Sequence, residues 1–142
     1  MSPEKRGQEI YMTEQNEKIY RLLIIDDESI VGKRLDQTFT KLGYIVEAYT
    51  DPVTALEAAR KQQFDIVVTD LKMQEIDGLE VLRQAKQINS ATRVIIITGY
   101  AEMDTADTAF REGVFDFIPK PFRLDQIKDA ILRAVEDIER PN

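Results

Sequence analysis

Five residues able to do phosphoryl chemistry stand at the ends of four apolar runs. The runs are Arg21-Leu22-Leu23-Ile24-Ile25-Asp26-Asp27, Asp65-Ile66-Val67-Val68-Thr69-Asp70, Arg93-Val94-Ile95-Ile96-Ile97-Thr98 and Phe117-Ile118-Pro119-Lys120-Pro121. If these runs are neighbouring parallel strands, their carboxyl ends gather Asp26, Asp27, Asp70, Thr98 and Lys120 in one crevice. Three carboxylates that close repel one another and call for a cation or protons. Oxygen donors alone favour a hard ion such as Mg²⁺, which keeps some waters and a place for a phosphoryl oxygen. Bound metal and the Lys120 ammonium would offset charge during phosphoryl transfer, so that one carboxylate can attack and form an acyl phosphate. The Thr98 hydroxyl and the backbone amides after Asp70 would supply donors to phosphoryl oxygens.

Taken singly, each residue has an ordinary explanation. An Asp after a strand is often a helix cap or turn former, a strand-end Thr a β-branched filler, and a Lys a solvated charge. Their coincidence at four strand ends carries the argument.

The elements that must position them alternate in type. From Arg21 onward, strand-like runs are separated by helix-period segments. Val31, Leu35, Thr38, Phe39 and Leu42 mark a first helix that stops at Gly43. Ile45 to Tyr49 reads as a short strand. Asp51-Pro52 reads as an N-cap followed by proline at the first helical position, opening a helix with Val53, Leu56 and Ala59 inward. Leu79, Leu82, Ala85 and Ile88 mark a third helix after Gly78. Ala106, Ala109 and Phe110 suggest a weaker fourth, ended by Gly113. Ile127, Ile131, Ala134, Val135 and Ile138 share one face of a fifth. The central runs are apolar at nearly every position, as in strands buried on both faces. Five strands alternating with five helices give an α/β class, a doubly wound parallel sheet whose ligands bind beyond the strand carboxyl ends.

The totals narrow the chemistry further. The 142 residues fit one domain, and no apolar stretch is long enough to cross a membrane. The absence of cysteine excludes disulfides and thiolate metal sites, and is compatible with a cytoplasmic location. The absence of histidine excludes a Ser-His-Asp triad, histidine-ligated zinc and a phosphohistidine on this chain. Any phosphate passing through must be carried by a carboxylate. A net charge of −7 argues against binding nucleic acid. Residues 1–20, rich in Glu, Gln, Lys and Asn, read as an N-terminal extension, with a docked short helix as the alternative.

These residues match a family. Residues 21–139 resemble the receiver domain of two-component response regulators, a flavodoxin-like fold. The matching motifs are Ile25-Asp26-Asp27-Glu28, Thr69-Asp70-Leu71-Lys72-Met73, Asp77-Gly78, Ile97-Thr98-Gly99 and Ile118-Pro119-Lys120-Pro121-Phe122. The resemblance implies strand order 2-1-3-4-5 and a cis Lys120–Pro121 bond. It implies that Asp70 is the phosphoacceptor, that Asp26 and Asp27 hold Mg²⁺ (or Mn²⁺) with Asp70, and that the Lys72 backbone carbonyl is a further ligand. Thr98 and Lys120 would contact the phosphoryl group, and Phe117 would swing inward after Thr98 moves. Lys72 and Tyr100 lie where the family tunes acyl phosphate lifetime. Gln74 departs from the pattern, occupying a position that is very often proline.

The implied function is a phosphoacceptor switch without enzymatic turnover. A histidine kinase or phosphotransfer protein would be the donor, and an output domain or protein the downstream partner. A homodimer through helices four and five is a family possibility. After the fifth helix the sequence ends at Asn142, leaving either a stand-alone regulator or a receiver excised from a longer protein. Two other classes compete: a receiver-like interaction module that is never phosphorylated, and a magnesium-dependent phosphohydrolase. The second commonly needs an Asp two residues after its nucleophile, where this chain has Lys72.

Overall fold

The computed structural model describes residues 18–99 and 103–140. Five strands alternate with five helices: β1 (Arg21–Ile25), α1 (Ser29–Lys41), β2 (Ile45–Tyr49), α2 (Pro52–Lys61), β3 (Ile66–Asp70), α3 (Gly78–Ile88), β4 (Arg93–Thr98), α4 (Met103–Arg111), β5 (Asp116–Pro119) and α5 (Leu124–Glu139). The strands form one parallel sheet in the order β2-β1-β3-β4-β5.

That order fixes the layers. The chain steps one way from β1 to β2, then reverses and steps through β3, β4 and β5. Right-handed crossovers therefore place α1 on one face and α2, α3 and α4 on the other. Period-two alternation sorts the side chains accordingly. Leu22 and Ile24 pack with Leu35, Phe39, Ile127 and Ile131 on the α1/α5 face. Leu23 and Ile25 pack with Leu56, Val81, Leu82 and Ala109 on the opposite face. Inner strands β3 and β4 are covered on both sides, which is why their sequences hold almost no polar residue before the last position.

Local signals set the boundaries. Asp51 caps α2, accepting from the backbone N–H groups of Val53 and Thr54 at 3.3 Å each. Asp77 caps α3 through Glu80 N–H at 3.0 Å. Gly43 and Gly113 follow α1 and α4 with φ of 100° and 95°, the left-handed conformation glycine adopts without a Cβ penalty. Two ion pairs tie α5 to the sheet, Arg93–Asp137 at 3.0 Å and Arg133–Asp116 at 2.7 Å.

One inward assignment differs from the expectation, and two apolar residues of the helix patterns are exposed. Val53 is exposed, because the buried stripe of α2 runs through Pro52, Ala55, Leu56 and Ala59, about one residue of rotation away. Phe110 is also exposed; the adjacent Ala109 fills the buried place on α4. Leu42 lies beyond the last residue of α1, in the turn, and is 55% exposed.

Candidate functional site

The sheet reverses its winding direction between β1 and β3, and in open α/β sheets the crevice at that point receives the ligand. Asp26 and Asp27 follow β1 there, and Asp70 ends β3. Ile25 is in register with Thr69, Asp70 with Ile97, and Thr98 with Pro119. The four strand ends are therefore nearly level, and the five residues singled out by the sequence meet above them.

The donor oxygens of Asp26, Asp27 and Asp70 lie within 4.8 Å of one another. Asp26 and Asp70 are buried, whereas Asp27 is exposed at the mouth. Asp26 Oδ1 accepts from Glu28 N–H at 2.8 Å, and Asp70 Oδ1 accepts from Leu71 N–H at 2.8 Å. Each carboxylate thus keeps a second oxygen turned to Lys120. The Lys120 Nζ stands 3.3 Å from Asp26 Oδ2, 3.3 Å from Asp70 Oδ2 and 3.3 Å from Glu28 Oε1. Its backbone N–H donates to the Thr98 carbonyl at 2.7 Å, which sets the lysine against the β4 end. The Lys120–Pro121 bond is cis. Thr98 is completely buried.

Burial raises the Asp70 carboxyl above its ordinary value against the opposing pull of Lys120 and the Leu71 N–H. Burial also raises Asp26; the Glu28 N–H opposes the rise and the Asp70 charge adds to it. For Lys120, burial alone would lower the value, but the Asp26 and Asp70 charges outweigh it and leave the ammonium strengthened. The lysine thus offsets part of a negative charge that two buried carboxylates and one exposed carboxylate create.

The donor set fits a hard divalent cation. Octahedral coordination at ~2.1 Å keeps ligand oxygens within ~4.2 Å of one another, and the 4.8 Å limit on these carboxylates allows that with small adjustments. Among the described residues this is the one group of three or more such ligands.

Glycine shapes the loop after Asp70. A Cβ on Gly78 would fall 2.5 Å from the Asp70 carbonyl oxygen and 2.9 Å from Leu71 Cα. Its N–H donates to the Leu71 carbonyl at 2.7 Å, folding the loop back over the β3 end. On that loop Lys72 and Gln74 are exposed, and Glu75 has φ of 70°. Gln74 and Glu75 line a cavity of about 520 Å³ with Asp27, Thr50, Asp51 and Pro52. Phe117 is half-buried and packs against the core on the α2–α4 side. Tyr100 lies outside the described residues. Two contributors escaped the sequence reading. Glu28, which the sequence presents only within the Ile25-Asp26-Asp27-Glu28 motif, adds a carboxylate to the Lys120 contacts, and its charge two residues after Asp26 is the one local signal of that. Gly78, which the sequence marks as a helix boundary and as part of the Asp77-Gly78 motif, approaches Asp70 too closely for a Cβ and so shapes the crevice.

Residues 22–132 match the family model described as "Response regulator receiver domain". The chain belongs to the response regulator receiver domain family, the phosphoacceptor modules of two-component signalling. It is 36% identical over 116 residues to sporulation initiation phosphotransferase F of Bacillus subtilis, a match covering 82% of this chain and 91% of that protein. It is also 36% identical over 118 residues to regulatory protein AtoC of Escherichia coli, covering 83% of this chain and 26% of that protein. The chain therefore spans about a quarter of such longer regulators. Among solved structures, a response regulator receiver domain protein from Clostridium thermocellum superimposes with a TM-score of 0.78 at 30% identity, covering 84% of this chain and 96% of that one. The beryllofluoride-activated NtrC4 receiver domain dimer superimposes with a TM-score of 0.79 at 28% identity, covering 84% and 98%. No helix among the described residues is long and apolar enough to cross a membrane.

Proposed function

We propose that Asp70 is the phosphoacceptor and that residues 21–139 work as a phosphorylation-controlled switch in the cytoplasm. The observation that carries this reading is the lysine placement: Lys120 Nζ stands equally near Asp26 and Asp70, at 3.3 Å. A phosphoryl group on Asp70 would thus be formed beside a fixed positive charge. The donor is the phosphohistidine of a kinase or phosphotransfer protein, since this chain has no histidine. An Asp70 carboxylate oxygen forms the new bond to phosphorus, the phosphorus–nitrogen bond breaks, and the departing imidazole takes a proton. Lys120 stays close to the charge throughout, and Leu71 N–H holds the other Asp70 oxygen in place.

Asp26, Asp27, Asp70 and the Lys72 backbone carbonyl would hold Mg²⁺ or Mn²⁺, which when bound supplies positive charge for the phosphoryl oxygens. Thr98 then turns toward the new dianion and Phe117 moves into the space released, favouring a conformation already present as a minor state. Lys72 and Tyr100 set the lifetime of the acyl phosphate. The partners are the donor protein and an output domain or protein; the NtrC4 receiver, solved as a dimer, supports a homodimer as one output. The domain is a phosphoacceptor and not a turnover enzyme. An unphosphorylated interaction module would have no use for the Lys120 arrangement, and Lys72 stands where a phosphohydrolase would need Asp.

Incubation with acetyl phosphate and Mg²⁺ tests the reading. Intact protein gains one phosphoryl group by mass, and Asp70→Asn gains none. Equal labelling of that variant would place the acceptor elsewhere.

A further inference from the structure

Among the described residues, five polar or charged ones are buried: Asp26, Thr69, Asp70, Thr92 and Thr98. Asp26, Asp70 and Thr98 belong to the crevice. Thr92, before the start of β4, donates its hydroxyl to the Phe64 carbonyl at 2.9 Å. Thr69 is the one without a role so far. It is the penultimate residue of β3 and is completely buried. A valine would keep the β-branched shape that strands favour, whereas a buried hydroxyl needs a partner. Thr69 Oγ1 has one: it donates to the Asp70 carbonyl at 2.8 Å.

That carbonyl and the Leu71 N–H belong to one planar peptide unit and point in opposite directions. On the carbonyl side stand the Thr69 hydroxyl and Gly78, where a Cβ would meet the oxygen at 2.5 Å. On the other side the Leu71 N–H donates to Asp70 Oδ1 at 2.8 Å. A rotation of this peptide moves both ends together, and the carboxylate follows the N–H. Pairing of β3 with β1 stops at Thr69 and with β4 at Asp70, so Leu71 takes no part in the ladder.

We propose that Thr69 is a positioning residue for phosphoryl transfer. Its hydroxyl fixes the plane of the Asp70–Leu71 peptide, and the Leu71 N–H then holds Oδ1. Oδ2 is thereby presented to the incoming phosphorus beside Lys120, 3.3 Å away. Thr69 touches no reacting atom; its effect passes through one peptide group, and transfer rates fall steeply when such alignment is lost. The inference rests on the reading of Asp70 as the phosphoacceptor.

Thr69→Val and Thr69→Ser separate the hydroxyl from the shape of the side chain. With Mg²⁺ and saturating acetyl phosphate, the full chain carrying Thr69→Val should be labelled about three- to tenfold more slowly, the loss expected for one hydrogen bond. The half-saturating acetyl phosphate concentration stays unchanged. Thr69→Ser keeps the donor and restores the rate. By NMR, the Leu71 amide proton moves upfield and exchanges faster with solvent in Thr69→Val and returns in Thr69→Ser, a pattern that a purely space-filling role would not produce. Wild-type labelling rate in Thr69→Val, a Thr69→Ser protein as slow as Thr69→Val, or an unchanged Leu71 amide in Thr69→Val overturns the inference. Wild-type protein that takes no label at Asp70 would overturn the phosphoacceptor reading instead, and the Leu71 amide would still decide whether Thr69 orients that carboxylate.

Discussion

Removing the Asp70 charge should make the metal-free protein more stable, although it deletes a contact with Lys120. At an effective dielectric constant of about 20, two like charges at the 4.8 Å limit of the cluster repel by ~3.5 kcal/mol. This applies to Asp26 against Asp70, both buried. Exposed Asp27 is screened by water and adds ~1 kcal/mol or less. Against these, the Lys120–Asp70 contact at 3.3 Å returns ~5 kcal/mol on the same scale. The Coulomb terms nearly cancel, so desolvation decides the sign, and an ionised buried carboxylate costs several kcal/mol. Lys120 keeps Asp26 and Glu28 as partners in Asp70→Asn, and the new amide still accepts from Leu71 N–H. A net stabilisation of about 1–3 kcal/mol follows, each kcal/mol raising Tm by about 3–5 °C. Thermal unfolding followed by far-ultraviolet circular dichroism in EDTA at neutral pH measures it. Added Mg²⁺ should then reverse the ranking, since metal in 100-fold excess over Kd stabilises wild type by about 2.7 kcal/mol and the weakened variant by less. An Asp70→Asn protein that melts below wild type in EDTA refutes the charge-crowding argument. An equal Mg²⁺ response in both proteins refutes the metal assignment.

Three further outcomes follow from the same geometry. Because Asp26 and Asp70 are both raised in the folded state, the native protein binds more protons than the unfolded chain between the ordinary carboxylate value and the raised one. Metal-free stability therefore rises as pH falls through that window and is lost as pH rises, and the slope should flatten in D26N/D70N when Tm is followed against pH. Lys120→Met leaves Asp26 buried without its cation, so denaturant unfolding in EDTA should show a loss of about 3 kcal/mol or more, a loss that D26N in the same chain largely restores. Gly78→Ala drives a Cβ to 2.5 Å from the Asp70 carbonyl oxygen, so it should cost about 1–3 kcal/mol and slow acetyl phosphate labelling. Full stability and unchanged labelling in that variant would remove Gly78 from the site.

The parts of the molecule legible from sequence were those written in local chemistry. Apolar runs without alternation announced β1, β3 and β4 as strands covered on both faces, and Asp51-Pro52 announced the start of α2 down to the capping hydrogen bonds. The convergence of Asp26, Asp27, Asp70 and Lys120 was legible because strand ends of a parallel sheet collect whatever follows each strand. Strand order came from family resemblance, since periodicity does not say which strands are neighbours. Helix rotation was harder to read: Val53 and Phe110 are apolar and adjacent to the buried stripe, and a shift of one position is about 100° around the axis. Leu42 continued the apolar period of α1 but lay past the helix end, where periodicity no longer determines direction. Glu28 joined the Lys120 contacts through a distance in space between residues 92 positions apart, which no local pattern encodes.

The central claim is that the Asp70 carboxylate receives the phosphoryl group, and chemical mapping of the modified residue tests it most directly. The full chain is labelled with acetyl phosphate and Mg²⁺, then treated with borohydride, which reduces an acyl phosphate to the corresponding alcohol. Peptide mass spectrometry should then find homoserine in place of aspartate at position 70, with Asp26 and Asp27 unchanged. Homoserine at position 26 or 27, or a phosphoryl group that survives borohydride on a hydroxyl residue, would contradict the account.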